Sequence, residues 1–85
     1  MPVPAWWPQV TVTVRQMGAF TGMLLALATP DWDGYTITLA FPGESAAVWR
    51  DSGSSRILAA ALAHHGIRAD VTVATVIDIR EQKTT

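Results

Sequence analysis

The chain is predicted to fold as a single α+β domain in which a three-stranded mixed sheet carries helices on one face. In one segment, apolar residues alternate with small or polar ones, at Tyr35, Ile37, Leu39 and Phe41. A second alternating segment, with Val71, Val73, Ile77 and Ile79, follows after two helical stretches that a Gly-Ser break separates. Two half-buried strands joined by helices predict a sheet that is covered on one side and wet on the other.

Composition limits the class of protein. The 85 residues are 49% hydrophobic, contain no cysteine, and carry a formal charge of −1 from six Lys+Arg and seven Asp+Glu. Such a chain is long enough for one small core and too apolar to be disordered. The absence of cysteine excludes disulfides and thiolate metal sites, and the charge argues against a phosphate-neutralising surface. Without an apolar run of membrane-spanning length, we expect a soluble, cytoplasmic domain.

The first segment supports two interpretations. Residues 10–14 alternate valine with threonine, which by local propensity predicts a strand. Trp7-Pro8 instead suits the first turn of a helix, and valine and threonine are only weakly unfavourable in helices. Gly18 is predicted to end this segment, before a second apolar and helical stretch at residues 20–25.

Asp33-Gly34 is the clearest turn signal, since this dipeptide suits a two-residue type I′ hairpin loop. Pairing outward from such a loop sets Asp31 opposite Thr36, Thr29 opposite Thr38, and Ala28 opposite Leu39. Pro30 has no N–H to donate, which predicts an edge position for the first strand. The strand through Phe41 is then central, and the third strand lies parallel to it on the other side.

Two helices are predicted between the second and third strands. The first spans residues 44–51 and contains Trp49, and Ser54 or Ser55 is expected to cap the second. On the second helix one face is formed by Leu58, Ala61, Leu62 and His65. Gly66 has the position of a C-terminal cap, and residues 80–85 form a polar tail.

The sequence contains few candidates for catalytic or ligand-binding residues. His64-His65 could suggest a metal site, but adjacent helical residues diverge by about 100°, so a polar helix end is the better interpretation. Ser52-Gly53-Ser54-Ser55 could cradle a phosphate, although a turn with a helix cap is the simpler hypothesis. Neither GxxxxGK(S/T) nor GxGxxG, the two glycine motifs of nucleotide-binding sites, occurs in the sequence. No catalytic, cofactor-binding or metal-binding residue is predicted.

The four tryptophans are the best candidates for contacts with a partner, because so small a core cannot enclose all of them. Trp7 and Trp49 are predicted to lie in the core. Trp6, which has little of its own chain to lie against, and Trp32, at the hairpin tip, are predicted to be exposed partner-binding residues. Arg50 and Arg56 are predicted to rim the same contact.

A family resemblance covers roughly residues 6–78. Asp33-Gly34-Tyr35, Arg50-Asp51-Ser52-Gly53-Ser54-Ser55 and Thr75-Val76-Ile77-Asp78 resemble the small C-terminal domain of bacterial DNA polymerase III subunit gamma/tau, the clamp-loader subunit, of high-GC Gram-positive bacteria. Trp7-Pro8 is similar to that family's opening, where it begins a helix, although here the segment is rich in Val-Thr rather than charged. The resemblance implies one non-catalytic domain over residues 6–79 that tethers a replisome partner, such as the polymerase subunit, during DNA replication. In the parent chain an ATP-binding motor would lie upstream.

The helix-strand order that this resemblance implies, α-β-β-α-α-β, is that of type II KH-like domains, which suggests an alternative function. Nucleic-acid-binding KH modules clamp their ligand with a GXXG loop. The corresponding place here, Asp51 to Ser55, has one glycine and no basic run. A KH-like fold without direct nucleic-acid, membrane or metal binding is therefore the expectation. An RNA- or single-strand-binding KH-like module is the alternative, and a homodimerising structural domain is a third.

Overall fold

The computed structural model describes residues 3–76 and confirms the α+β architecture. Four helices and three strands follow in the order α1 (Trp7–Met17), α2 (Ala19–Leu27), β1 (Thr29–Trp32), β2 (Thr36–Pro42), α3 (Ser45–Asp51), α4 (Ser54–His64) and β3 (Asp70–Val76). The sheet order is β1-β2-β3, with β1 antiparallel and β3 parallel to the central β2. Pro30 lies on an edge strand, as predicted.

The first segment is a helix, which confirms the one that the resemblance implies, so the strand interpretation of residues 10–14 is wrong. In a helix, Val10 and Val14 fall on one face with Trp7, and all three side chains are buried. The hydroxyls of Thr11 and Thr13 also have hydrogen-bond partners in this conformation. Thr11 Oγ1 donates to the carbonyl of Pro8 at 2.7 Å, and the Thr13 hydroxyl faces His65 at the end of α4. Burial of one face outweighs the weak β propensity of valine and threonine.

Gly18 separates α1 from α2, as predicted. Its N–H donates to the carbonyl of Val14 at 2.9 Å, and its own carbonyl accepts from the N–H of Gly22 at 2.9 Å. A Cβ at Gly18 would lie 2.9 Å from the Ile57 Cδ1 of α4. A side chain at this position would therefore require the end of the Ile57 side chain to move.

The hairpin loop is longer than the predicted type I′ turn. Trp32 is the last paired residue of β1 and lies opposite Ile37, while Asp31 lies opposite Thr38 rather than Thr36. The Asp33 carboxylate accepts from the backbone N–H groups of Tyr35 and Thr36, at 2.8 and 2.7 Å. This Asx-type turn satisfies backbone donors through a side chain and leaves Tyr35 outside β2 and exposed. The register shift of two residues keeps each side chain on its predicted face.

One face of the sheet forms the floor of the core. Ile37, Leu39 and Phe41 of β2 are fully buried, whereas Thr36, Thr38 and Ala40 on the other face are partly accessible. The buried set joins residues of all four helices in one cluster. Trp7 and Trp49 belong to it, as predicted, and Trp49 stacks at a tilt on Phe41 with ring centroids 5.2 Å apart.

The helix α4 has a different start from the predicted one. Gly53, with φ 73°, is the residue before its first turn, and no side chain caps this end, so neither Ser54 nor Ser55 is the cap. Ser54 is buried and its hydroxyl faces Thr21, while Ser55 accepts a hydrogen bond from the Trp49 indole at 3.0 Å. The predicted buried face of α4 is confirmed for Leu58, Ala61 and Leu62.

The end of α4 matches the prediction. Gly66 has φ 69°, its N–H donates to the carbonyl of Ala63 at 3.0 Å, and the N–H of Ile67 donates to that of Leu62 at 2.9 Å. These two bonds form a Schellman motif, for which a left-handed glycine is favoured. Val71 and Val73 of β3 pack against the core cluster. The predictions for Ile77, Ile79 and the tail at 80–85 fall outside the described residues.

Candidate protein-interaction site

The helix α2 turns an entirely apolar surface outward. Its accessible side chains are those of Ala19, Phe20, Met23, Ala26 and Leu27. Phe20, Met23 and Leu27 are 54%, 69% and 52% exposed. Because they recur at i, i+3 and i+7, they form one stripe along the helix. We call the five residues the α2 face.

The polarity of α2 is inverted relative to an ordinary surface helix. Its one polar side chain, Thr21, is 4% exposed and shares a hydrogen bond of 2.9 Å with the buried Ser54 hydroxyl. Ser54 in turn shares a hydrogen bond of 2.6 Å with Ser52. A helix that buries its hydroxyl and exposes phenylalanine, methionine and leucine has an outward surface suited to a protein partner.

A groove lies between α1 and α2 beside this face. It has a volume of about 310 Å³ and is lined by Trp7, Thr11, Arg15, Gly22, Leu25, Ala26 and Ala28. The two helices approach closely at Gly22, where an added Cβ would lie only 3.0 Å from the α-carbon of Arg15. Ala26 belongs to both the α2 face and the groove. The two features therefore form one continuous surface, in which an apolar helix face adjoins a groove of mixed polarity.

The predicted anchors Trp6 and Trp32 are brought together, but both are only partly exposed. Their rings meet edge to face with centroids 5.2 Å apart, and Trp6 also meets Trp7 at 6.0 Å. Both pack against the core cluster. The expectation that Trp6 has little of its own chain to lie against is therefore wrong. Since Trp7 lines the groove, this tryptophan pair borders one end of it.

The predicted rim residues lie elsewhere. Arg50 is exposed at the end of α3, and its Nη2 donates to the carbonyl of Val73 in β3 at 3.5 Å. Trp32 lies in β1, on the opposite edge of the sheet from β3. Arg56 is exposed on the first turn of α4. Arg50 and Trp32 thus lie at opposite edges of the sheet, and the arginine at the groove is Arg15.

Two of the other polar side chains, those of His65 and Asp33, have partners within the domain. The Nε2 of His65 lies 2.6 Å from the Thr13 hydroxyl, which joins the end of α4 to α1, and His64 meets His65 edge to face. Hydrogen bonds from the backbone of Thr36 and Tyr35 hold the pKa of Asp33 below its ordinary value. Among residues 3–76, no three histidine, aspartate or glutamate side chains form a group that could hold a metal ion. No helix within the same residues is long and apolar enough to cross a membrane.

The α2 face was missed at the level of the sequence because candidates for partner binding were chosen by residue type, with tryptophan favoured. The distribution of charged residues along the chain was not considered. The signal was nevertheless present, since residues 16–30 contain no charged side chain and α2 is apolar around its whole circumference apart from Thr21. In so small a domain a helix of this composition cannot bury every face.

Comparisons of the chain with protein-family models, with curated proteins and with solved structures give no match.

Proposed function

We propose that the chain is a non-catalytic protein-interaction domain whose α2 face and α1–α2 groove receive a partner protein. The observation that carries this proposal is the stripe of Phe20, Met23 and Leu27, each more than half exposed on a helix without charge. Exposed apolar patches of this kind are typical of interaction sites. The adjoining groove supplies concave surface in which a partner's side chain can be desolvated.

The family resemblance suggests the partner and the setting. The domain would be part of a cytoplasmic clamp-loader subunit of the gamma/tau type, and it would tether the replicative polymerase subunit during DNA replication. The α+β order agrees with the fold that the resemblance implies, which supports this assignment. The α2 face then takes the role first predicted for Trp6, Trp32, Arg50 and Arg56, with the tryptophan pair bordering it.

A KH-like module for single-stranded nucleic acid is the second candidate, because α3 and α4 are joined by a short turn centred on Gly53. The distribution of charge favours the protein partner. Arg50 and Arg56 flank that turn, but Arg50 is directed toward β3, and the chain as a whole carries a formal charge of −1.

Titration calorimetry with the purified polymerase subunit tests the proposal. Phe20→Ala should weaken binding by roughly 1–3 kcal/mol, because it removes a large, half-exposed apolar side chain from the α2 face. Tyr35→Ala is the matched control, since Tyr35 is an 82% exposed aromatic residue in the hairpin turn. Equal effects of the two variants would contradict the assignment of the α2 face.

Gel-shift titration with single-stranded DNA and RNA separates the two functions. We expect only weak association that disappears at physiological salt. Micromolar binding that persists there, without binding of the polymerase subunit, would favour the nucleic-acid function.

A further inference from the structure

We propose that the partner segment is an α-helix that lies in the α1–α2 groove, with apolar side chains against the α2 face and a carboxylate beside Arg15. This inference rests on the proposed function and specifies the chemistry of the partner. It depends on the shape of the groove and on the position of its charge.

The shape favours a helix over an extended peptide. Both walls of the groove are helical, with Trp7, Thr11 and Arg15 at i, i+4 and i+8 on α1, and Gly22 and Ala26 at i and i+4 on α2. Away from their ends, helices offer no row of free backbone donors and acceptors for an added strand, whereas a partner helix satisfies its own backbone groups. Rows of residues four apart form ridges, and the side chains of another helix fit into the grooves between such ridges.

Ala26 lets a partner come close. Its side chain is only a methyl group and is exposed, whereas Gly22 is covered by the Arg15 side chain, so the α2 wall is low at Ala26, where the two features meet. A partner helix can therefore place one row of its side chains in the groove and the next row against Met23 and Leu27. This matches the apolar stripe of an amphipathic helix, whose residues recur three and four apart.

The charge distribution specifies the carboxylate. Arg15 is the one charged residue among those lining the groove, and residues 16–30 carry no charge. An aspartate or glutamate on the partner would pair with this arginine at the rim, whereas a lysine there would be repelled. A second copy of the chain fits less well, because neither the α2 face nor the groove contains a carboxylate that could pair with Arg15.

Two model peptides test the inference. Each has about 18 residues, enough for five helical turns, with a leucine stripe that is flanked by glutamate in one peptide and by lysine in the other. Calorimetry at low salt should show the glutamate peptide binding the 85-residue chain roughly threefold to fivefold more tightly, as for an exposed ion pair. Arg15→Glu should reverse this preference, whereas Arg68→Glu, an exposed arginine outside the groove, should leave it unchanged.

Backbone amide shifts in NMR spectra locate the peptide on the wild-type chain, so the test stands even if Arg15→Glu does not fold. We expect shifts in α1 and α2. Equal binding of both peptides, or shifts confined to the other elements, would overturn the inference. Dimerisation of the wild type that Phe20→Ala abolishes, measured by sedimentation without peptide, would also overturn it, because the occupant would then be a second copy.

The polymerase subunit distinguishes this inference from the proposed function. If the glutamate peptide binds as expected while the polymerase subunit does not, the proposed partner is wrong and the helix-binding groove stands. If the polymerase subunit binds and loses affinity with Phe20→Ala, while both peptides bind equally, the proposed function stands and the inference fails.

Discussion

Gly22→Ala tests the close approach of α1 and α2, on which the groove depends. In an exposed helix interior, replacing glycine by alanine stabilises a protein by roughly 0.5–1 kcal/mol, because the unfolded chain loses conformational freedom. At Gly22 the added Cβ would lie 2.3 Å from the Cγ of Arg15 and 3.0 Å from its α-carbon. The Cγ can move with its side chain, but the α-carbon belongs to the backbone of α1. The substitution therefore forces the two helices apart.

The expected magnitude is the difference of two opposing effects. Overpacking a well-fitted contact costs about 1–3 kcal/mol, which exceeds the helix-propensity gain of up to about 1 kcal/mol. We expect Gly22→Ala to lower the free energy of unfolding by about 1 kcal/mol. For a domain of this size such a loss lowers Tm by roughly 4–8 °C.

Urea denaturation followed by tryptophan fluorescence measures the free energy of unfolding. Ala26→Gly, at an exposed position in the last turn of the same helix, gives a lower limit for the helix-propensity difference. Adding Arg15→Ala to Gly22→Ala removes the clash with the Arg15 side chain and should recover part of the loss, while the crowding against the α1 backbone persists. Stabilisation by Gly22→Ala of about 1 kcal/mol would refute the close approach.

Three further predictions concern stability. Leu62→Ala should cost about 2–4 kcal/mol in urea titration, because this side chain is 4% exposed in the core cluster, and a loss below about 1 kcal/mol would contradict its placement. Trp32→Ala should cost about 2 kcal/mol, roughly half the cost at a fully buried tryptophan, because Trp32 packs against Trp6; an unchanged Tm would show that the pair contributes nothing. The pKa of Asp33 is lowered from 3.8 by hydrogen bonds from the Thr36 and Tyr35 backbones, so its contribution to stability is present above the unfolded pKa and is lost as pH falls through the folded one. Asp33→Asn should therefore flatten the pH dependence of stability below about pH 4, and an unchanged acid limb would contradict this role.

Local chemistry determined much of the fold from the sequence. The alternation at 37–41 and 71–73, the edge position of Pro30, the break at Gly18 and the end of α4 at Gly66 all follow from the properties of single residues or short periods. These features depend on backbone constraints or on one buried face, and both can be recognised within a short stretch of the sequence. The fold class was therefore accessible without coordinates.

The hairpin shows where such reasoning fails. Asp33-Gly34 correctly marked a turn, but the Asp33 carboxylate accepts two backbone hydrogen bonds and lengthens the loop. The sequence does not distinguish a type I′ turn from an Asx-type turn at the same dipeptide, because both suit aspartate followed by glycine.

The sequence by itself determined that this is one small α+β domain with a one-sided mixed sheet, since hydrophobic periodicity and turn residues act locally. Only the tertiary structure decided that residues 10–14 are helical, because burial of Val10 and Val14 against distant elements outweighs their weak local preference. It also decided which apolar residues remain exposed. The chain contains more apolar surface than its core can enclose, and α2 packs on the domain through Thr21, Leu24 and Leu25. Phe20, Met23 and Leu27 therefore remain on its outward side.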